Sequence, residues 1–243
     1  MRLRLRSTVG PSSSCCAKPD KDLIVVSDQK ARSSYHHGDL KEALLGAAEA
    51  LLEEEGVAGL TLRACARRAG VSHAAPKHHF KDASGLLAEV AARSFDRLTD
   101  TLRQDRAAGA ELDPELRIIS VFRAYVNFAR RHPDHFRLMF RWREIDRENA
   151  ALAAAASRTY AEMTSSVAVQ RGDSDVTSDT LDQRIRERGL QDDVLLAWSQ
   201  IHGYAMLLLE GQFDGFASGQ GEDAFVERTV TEAGIRLSQM LTR

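Results

Sequence analysis

The chain is 243 residues long, 43% hydrophobic and 28% charged, with a formal net charge of −2. That length supplies one large or two small hydrophobic cores. The charge excludes a protein coated in positive potential, so any nucleic-acid site has to be a local patch. Three cysteines, with Cys15 and Cys16 adjacent in a Ser-rich stretch and Cys65 alone, make no disulfide framework and fit a reducing compartment. The basic start lacks the apolar run of a signal peptide. No stretch reaches the roughly 20 apolar residues that cross a bilayer. The expected location is cytoplasmic, with no membrane partner.

Residues 1–34 mix Arg, Ser, Pro and Lys around one short apolar run, Leu23–Val26. They read as a disordered N-terminal arm, with a mis-assigned start as the competing explanation. From Leu40 the apolar positions Leu40, Ala43, Leu44, Ala47, Ala48, Leu51 and Leu52 hold a helical period. Asp39 as N-cap and Gly56 as stop predict a first helix over 39–55. A short helix is predicted over 61–69 with Thr61 as N-cap. Gly70 breaks it, and Ser72 is expected to cap a third helix running to Phe80, with Pro76 tolerated in its first turn. Asp82 starts a long fourth helix, with Leu86, Leu87, Val90, Phe95, Leu98 and Leu102 at helical spacing, ending near Gly109.

The second half reads as helices too: Pro114–Arg131, a short one from Pro133 through Phe140, and an Ala-rich one over 144–168. Residues 171–188 are polar and read as a loop, and two last helices are predicted over 190–210 and 222–241. No strand-like alternation persists, so the expected fold is all-α: a three-helix helix-turn-helix head over 35–82 and a helical bundle over 83–243.

The chemistry concentrates in GVAGLTLRACARRAGVSHAAPKHHFK, residues 56–81. This segment holds Arg63, Arg67, Arg68, Lys77 and Lys81, no acidic residue, and hence a formal charge of +5. Phosphate contacts need such a local surplus. Ala66, four positions before Gly70, allows two short helices to cross closely. The second of them would lie in a major groove. Thr61, Arg63, Ser72, His73, Ala74, Lys77, His78 and Lys81 are the candidate DNA contacts. Ser72 suits a phosphate, His73, Ala74 and His78 suit base edges, and Lys77 and Lys81 suit phosphates. Cys65 lies among apolar positions and reads as a small core residue.

The string YHHGDLKEALLGAAEALLEEEGVAGLTLRACARRAGVSHAAPKHHFKDASGLLAEV closely resembles the N-terminal domain of the TetR/AcrR family of transcriptional regulators. Trp198, His202 and Gly203 look like the Trp–His–Gly signature of one of its C-terminal subfamilies, and HPDHFRLMF at 132–140 is similar to that group. The resemblance implies a dimeric repressor, held on a pseudo-palindromic operator and released by a small, largely apolar effector. It also implies no cofactor and no catalytic activity. Two positions depart from the family pattern. Lys77 stands where a phosphate-binding tyrosine is usual, and Ala83 where a lysine is usual, with Lys81 placed to substitute.

Candidate effector contacts are Phe122, Tyr125, Phe128, Phe140, Trp198, His202 and Met206, from a half of the chain rich in aromatic and sulfur side chains. Each is also an ordinary core residue by type, and His202 suits either a ligand or a neighbouring helix. Dimerisation is expected through Leu195, Leu196, Ile201, Leu207 and Leu208 on one terminal helix, and through Phe225, Val230, Ile235, Leu237 and Leu241 on the other. Two rival readings are a helical scaffold that binds protein instead of DNA, and a metalloenzyme using His132 and His135. The second lacks HExxH, paired Cys-x-x-Cys and a glycine-rich phosphate loop.

Overall fold

In the computed structural model, residues 37–109, 112–141, 143–172, 188–217, 219 and 221–242 are described. The arm expected at 1–34, most of the loop expected at 171–188, and Trp142 lie outside them. The described residues are helical throughout, with no strand. The elements are α1 (His37–Gly59), α2 (Leu62–Arg68), a 3-10 turn (Ala75–His78), α3 (Ala83–Ala108), α4 (Pro114–Arg131), α5 (Pro133–Met139), α6 (Ala150–Gln170), α7 (Arg188–Leu209) and α8 (Glu222–Leu241).

The predicted boundaries hold where a residue with special backbone chemistry sits at the end of a helix. Thr61 caps α2 by accepting the Ala64 N–H at 3.1 Å, and Asp82 caps α3 by accepting the Gly85 N–H at 3.1 Å. Pro114 and Pro133 open α4 and α5 in the first turn, where a missing N–H costs nothing. Three boundaries differ. Helix α1 starts at His37, two residues before the expected cap, and Gly56 (φ 68°) kinks it, with helical geometry resuming to Gly59. Helix α6 starts at Ala150, not 144, because Asn149 caps the Leu152 N–H at 3.0 Å. Before it, the turn is pinned by buried Ile145 and by the Asp146 N–H bonded to the Ser84 carbonyl at 3.2 Å. The third expected helix is a single 3-10 turn, and Ser72 does not cap it with its side chain. Pro76 has no N–H to return to the Ser72 carbonyl, so Ala75 takes that carbonyl instead at 3.0 Å and the turn tightens.

Helix α3 organises the rest. Its buried stripe runs Leu86, Leu87, Val90, Ala91, Phe95, Leu98 and Leu102, and along it pack α1, α4, α5 and α6. Against Ala-rich α6 the approach is fixed by a buried hydroxyl pair, Thr99 to Thr159 at 2.7 Å, beside fully buried Ala155. Helix α8 covers α4, where Gly234 lies so close that an added Cβ would stand 2.7 Å from Ile119 Cγ1 and 3.0 Å from its Cα. This packing corrects the expected dimer surface. Ile201, Phe225, Val230, Leu237 and Leu241 are buried in the chain's own core, because α7 and α8 are partnered by α4 and α6. Leu195, Leu196 and Leu207 remain 43%, 43% and 48% exposed.

Where α5 meets α1 and α3, a histidine is enclosed. His135 is 1% exposed, with Nδ1 2.8 Å from Ser94 Oγ. Ser94 already donates its proton to the Val90 carbonyl, so the imidazole donates from Nδ1. Nε2 then faces Arg97 and Glu53, each at 3.5 Å, with Glu49 and His132 nearby. Burial, and then the Arg97 charge, hold His135 below its ordinary value, against the opposing pull of Glu49 and Glu53. Burial does the same to His132 and His202.

Two outcomes follow from this packing. Gly234→Ala forces α4 and α8 apart and is expected to lower stability by about 1–3 kcal/mol in denaturant unfolding. The second concerns acid. The folded state binds fewer protons at these histidines than the unfolded chain, whose histidines titrate near pH 6.5. Their contribution is therefore complete above that pH and lost as pH falls through the lower folded values. Melting scans from pH 7.5 to 5.5 are expected to show a falling midpoint, with a shallower slope in His135→Gln.

Candidate DNA-binding interface

The interface is built on one turn. Past Arg68, helix α2 ends with Gly70 at φ 69°, a left-handed conformation that costs a residue with Cβ about 1–2 kcal/mol. The Gly70 N–H returns to the Arg67 carbonyl at 3.2 Å and the Val71 N–H to the Ala66 carbonyl at 3.0 Å, the paired bonds of a Schellman ending. Cys65 and Ala66 are fully buried and Val71 packs against the core, which fixes the angle at which the chain leaves α2. Burial raises the Cys65 thiol to about 11, so it is a protonated core side chain, as expected. After the turn, buried Pro76 and Phe80 hold the 3-10 segment down and present its other side to solvent.

All eight candidate DNA contacts are exposed or half-buried at the surface: Thr61, Arg63, Ser72, His73, Ala74, Lys77, His78 and Lys81. Thr61 uses an oxygen lone pair for its cap, which leaves its O–H able to donate outward. The five cations of the segment are not equivalent. Arg68 makes a two-pronged bond to Glu54 of α1, at 2.5 and 2.7 Å, which raises the arginine and lowers the carboxyl from their ordinary values. Arg63, Arg67, Lys77 and Lys81 make no ion pair among the described residues and carry the patch. The Glu54–Arg68 pair is invisible to a reading by segment charge. Its signal was the run Glu53–Glu55 on the neighbouring helix.

The expected effector residues come together in the bundle. Phe122, Tyr125 and Phe128 are buried on α4, with Phe140, Trp198, His202 and Met206 half-buried around them. The Trp198 indole donates to the Tyr125 hydroxyl, and that hydroxyl reaches His202 Nδ1 at 3.1 Å. Burial holds the Tyr125 phenol above its ordinary value and the His202 imidazole below, so both are neutral and their bond is a neutral one. His202 thus engages a neighbouring helix in this conformation, and its ring lies 4.2 Å from that of Phe140, centroid to centroid. The space left beside Phe122 and Tyr125 is about 10 Å³, no more than one water needs. A larger cleft of about 270 Å³ adjoins it between α3, α4 and α6. Arg103, Arg106 and Arg117 line that cleft, and sequence reading missed them because they come from two helices with no local pattern.

The profile of the bacterial regulatory proteins of the tetR family matches residues 44–90, and that of the tetracyclin repressor-like C-terminal domain matches residues 118–233. Trp198, His202 and Gly203 lie within the second match. Among solved structures, a protein of unknown function from Rhodococcus sp. RHA1 is 31% identical, with TM-score 0.66, covering 87% of this chain and 100% of that one. A transcriptional regulator from Rhodococcus sp. Rha1 is 18% identical (TM-score 0.53; 82% and 94% covered). The TetR-family regulator PfmR from Thermus thermophilus is 17% identical (TM-score 0.50; 79% and 97% covered). These last two share the fold. No curated protein matches the sequence. With an exposed basic helix-turn-helix head and both halves matched by regulator domains, the chain belongs to the TetR family of DNA-binding transcriptional regulators.

Proposed function

We propose that this regulator is a cytoplasmic, dimeric repressor that binds a pseudo-palindromic operator and is released from it by a small, largely apolar effector. The observation that carries the DNA side is the patch of Arg63, Arg67, Lys77 and Lys81 on the exposed face of the Gly70 turn. Its cations have no ion-pair partner of their own among the described residues, in a chain of net charge −2. In this reading Thr61, Arg63, Ser72, Lys77 and Lys81 hold phosphates, and His73, Ala74 and His78 face base edges. The reading head spans 35–82, and 83–243 form the effector and dimer half.

Dimerisation is supported by the outer face of α7. Leu196 and Leu207 flank Gly203 at helical spacing, all three facing away from the chain's own core. A mid-helix glycine costs about 0.5–1 kcal/mol relative to alanine. Nothing in the chain explains it, since an added Cβ there would meet no atom within 4 Å. Close approach of a second backbone supplies the reason. A two-fold dimer then sets two heads about one DNA turn, roughly 34 Å, apart. The effector is read as entering the region of Phe122, Tyr125, Phe128, Phe140, Trp198, His202 and Met206. Helix α3 links that region to the head: its 26 residues span about 39 Å at 1.5 Å each.

Gel shifts with DNA from beside the chain's own gene test this reading. A sequence-preferring complex is expected, weakening steeply with salt. Lys77→Ala is expected to weaken binding to all sequences and reduce the salt slope by about one, as loss of a phosphate contact does. His73→Ala is expected to relax sequence preference, and equal losses on specific and random DNA would remove it from the reading role. A complex that is neither salt-sensitive nor sequence-preferring favours the protein-binding scaffold. Gly203→Leu is expected to shift the mass measured by light scattering from dimer to monomer while the helical signal stays unchanged.

A further inference from the structure

We infer that the cleft between α3, α4 and α6 is the mouth of the effector site and that it takes a small amphiphilic carboxylate, its head among Arg103, Arg106 and Arg117 and its apolar body directed inward past Val121. This rests on the reading of the chain as an effector-released regulator, and it names the effector's chemical class.

The cleft has the volume for it. At about 270 Å³ it stands at the small end of the roughly 300–1,000 Å³ usual for ligand pockets. Its lining contains three arginines, two serines, otherwise Ala107, Gly109, Val121 and Val169, and no acidic side chain. Carboxylates stand behind the lining and hold it in place. Buried Glu162 of α6 accepts from Arg103 Nε at 2.6 Å, and its other oxygen lies 3.2 Å from Arg106 without a hydrogen bond. Asp105 bonds Ser120, and Arg117 donates its Nε–H to the Leu112 carbonyl at 2.7 Å. Asp113 and Glu115, on the first turn of α4, are exposed and outside the lining. One buried carboxylate thus positions two guanidinium groups, and the fork geometry of arginine matches a second carboxylate delivered from outside.

The cleft also leads to the aromatic region. Val121 and Ser166 line both it and the small void beside Phe122 and Tyr125. A ligand with a charged head and an aliphatic body finds cations at the mouth and apolar walls beyond, whereas a wholly apolar ligand offers the arginines no acceptor. A ligand wedged there presses on the last two turns of α3, the helix whose first turn follows directly on the head.

The experiment is calorimetric titration of the full chain with octanoate, with benzoate, and with 1-octanol as the neutral match of the first. Saturable binding of a carboxylate is expected, with 1-octanol at least tenfold weaker. Arg117→Gln is expected to weaken the carboxylate at least tenfold at an unchanged melting temperature. Val169→Phe, which fills the cleft without altering charge, is expected to abolish binding, and it serves alone if Arg117→Gln does not fold. The inference is overturned if neither carboxylate binds up to 10-millimolar order, if 1-octanol binds as tightly as octanoate, or if neither variant changes affinity. A gel shift run in parallel separates the two readings. Arg117-dependent carboxylate binding that leaves the DNA complex intact upholds the site and defeats release by this effector. Release by neutral compounds alone, with no carboxylate bound, upholds the effector reading and defeats the site.

Discussion

One helix has to belong to two cores at once. The buried stripe of α3 continues from Leu86 to Leu102 without a polar interruption wider than Ser94, and Ser94 is itself tied to the Val90 carbonyl and to His135. Its first turns complete the small head around α1, and its later turns are the surface on which α4 and α6 pack. The buried apolar residues consequently form one continuous cluster from Leu44 to Leu241. A head of this size would bury too little surface to be securely stable alone. Sharing a helix with a larger bundle solves that problem, and it also means that neither half moves without moving the other's wall.

The two faces of that helix are held by different physics. Toward α6 the contact is dry: Thr99 on Thr159, Ala155 fully buried, and Glu162 clamped by two arginines. Toward α1 it is largely ionic and wet, with Lys41 on Glu89, Arg93 on Glu42 and Glu49, and Arg97 on Glu49. Ion pairs of this partly exposed kind contribute roughly 0–1 kcal/mol each and exchange partners readily. The bundle side is thus stiff and the head side adjustable, which is the order a DNA-reading head needs if its spacing is to change while the body stays folded.

Much of this was legible in the sequence because the signals were local. Thr61, Gly70 and Asp82 each act on backbone groups within a few residues, and Pro114 and Pro133 fix the first turns they occupy. The misjudged features depend on competition or distance. Whether Pro76 sits in an α-helix or a 3-10 turn is decided by which N–H reaches the Ser72 carbonyl, a contest that periodicity does not register. Helix α7 carries apolar residues on two faces, so composition alone did not separate Ile201, which faces the core, from Leu196 and Leu207, which face solvent. The candidate DNA patch is a local excess of charge that a segment reading registers directly. Its subtraction by Glu54, fourteen positions from Arg68, was a tertiary fact.

The energetic scale of a switch built this way is set by its weakest joint. Allosteric coupling free energies run about 1–3 kcal/mol. Two or three exposed ion pairs on the α1 side amount to no more than that, whereas separating α3 from α6 would expose a buried hydroxyl pair and strand Glu162. An effector acting at the far end of α3 therefore needs to outbid only the ionic joint, and the helix, being continuous, delivers its displacement there instead of dissipating it in the bundle. The enclosed histidine at the joint adds a constraint of its own. His135 is kept neutral by burial and bonds Ser94 of α3 from α5, so the ionic pairs can rearrange around a pivot that stays in place. A dry wall, a wet joint and one neutral pivot together let a few kilocalories move a head without unfolding it.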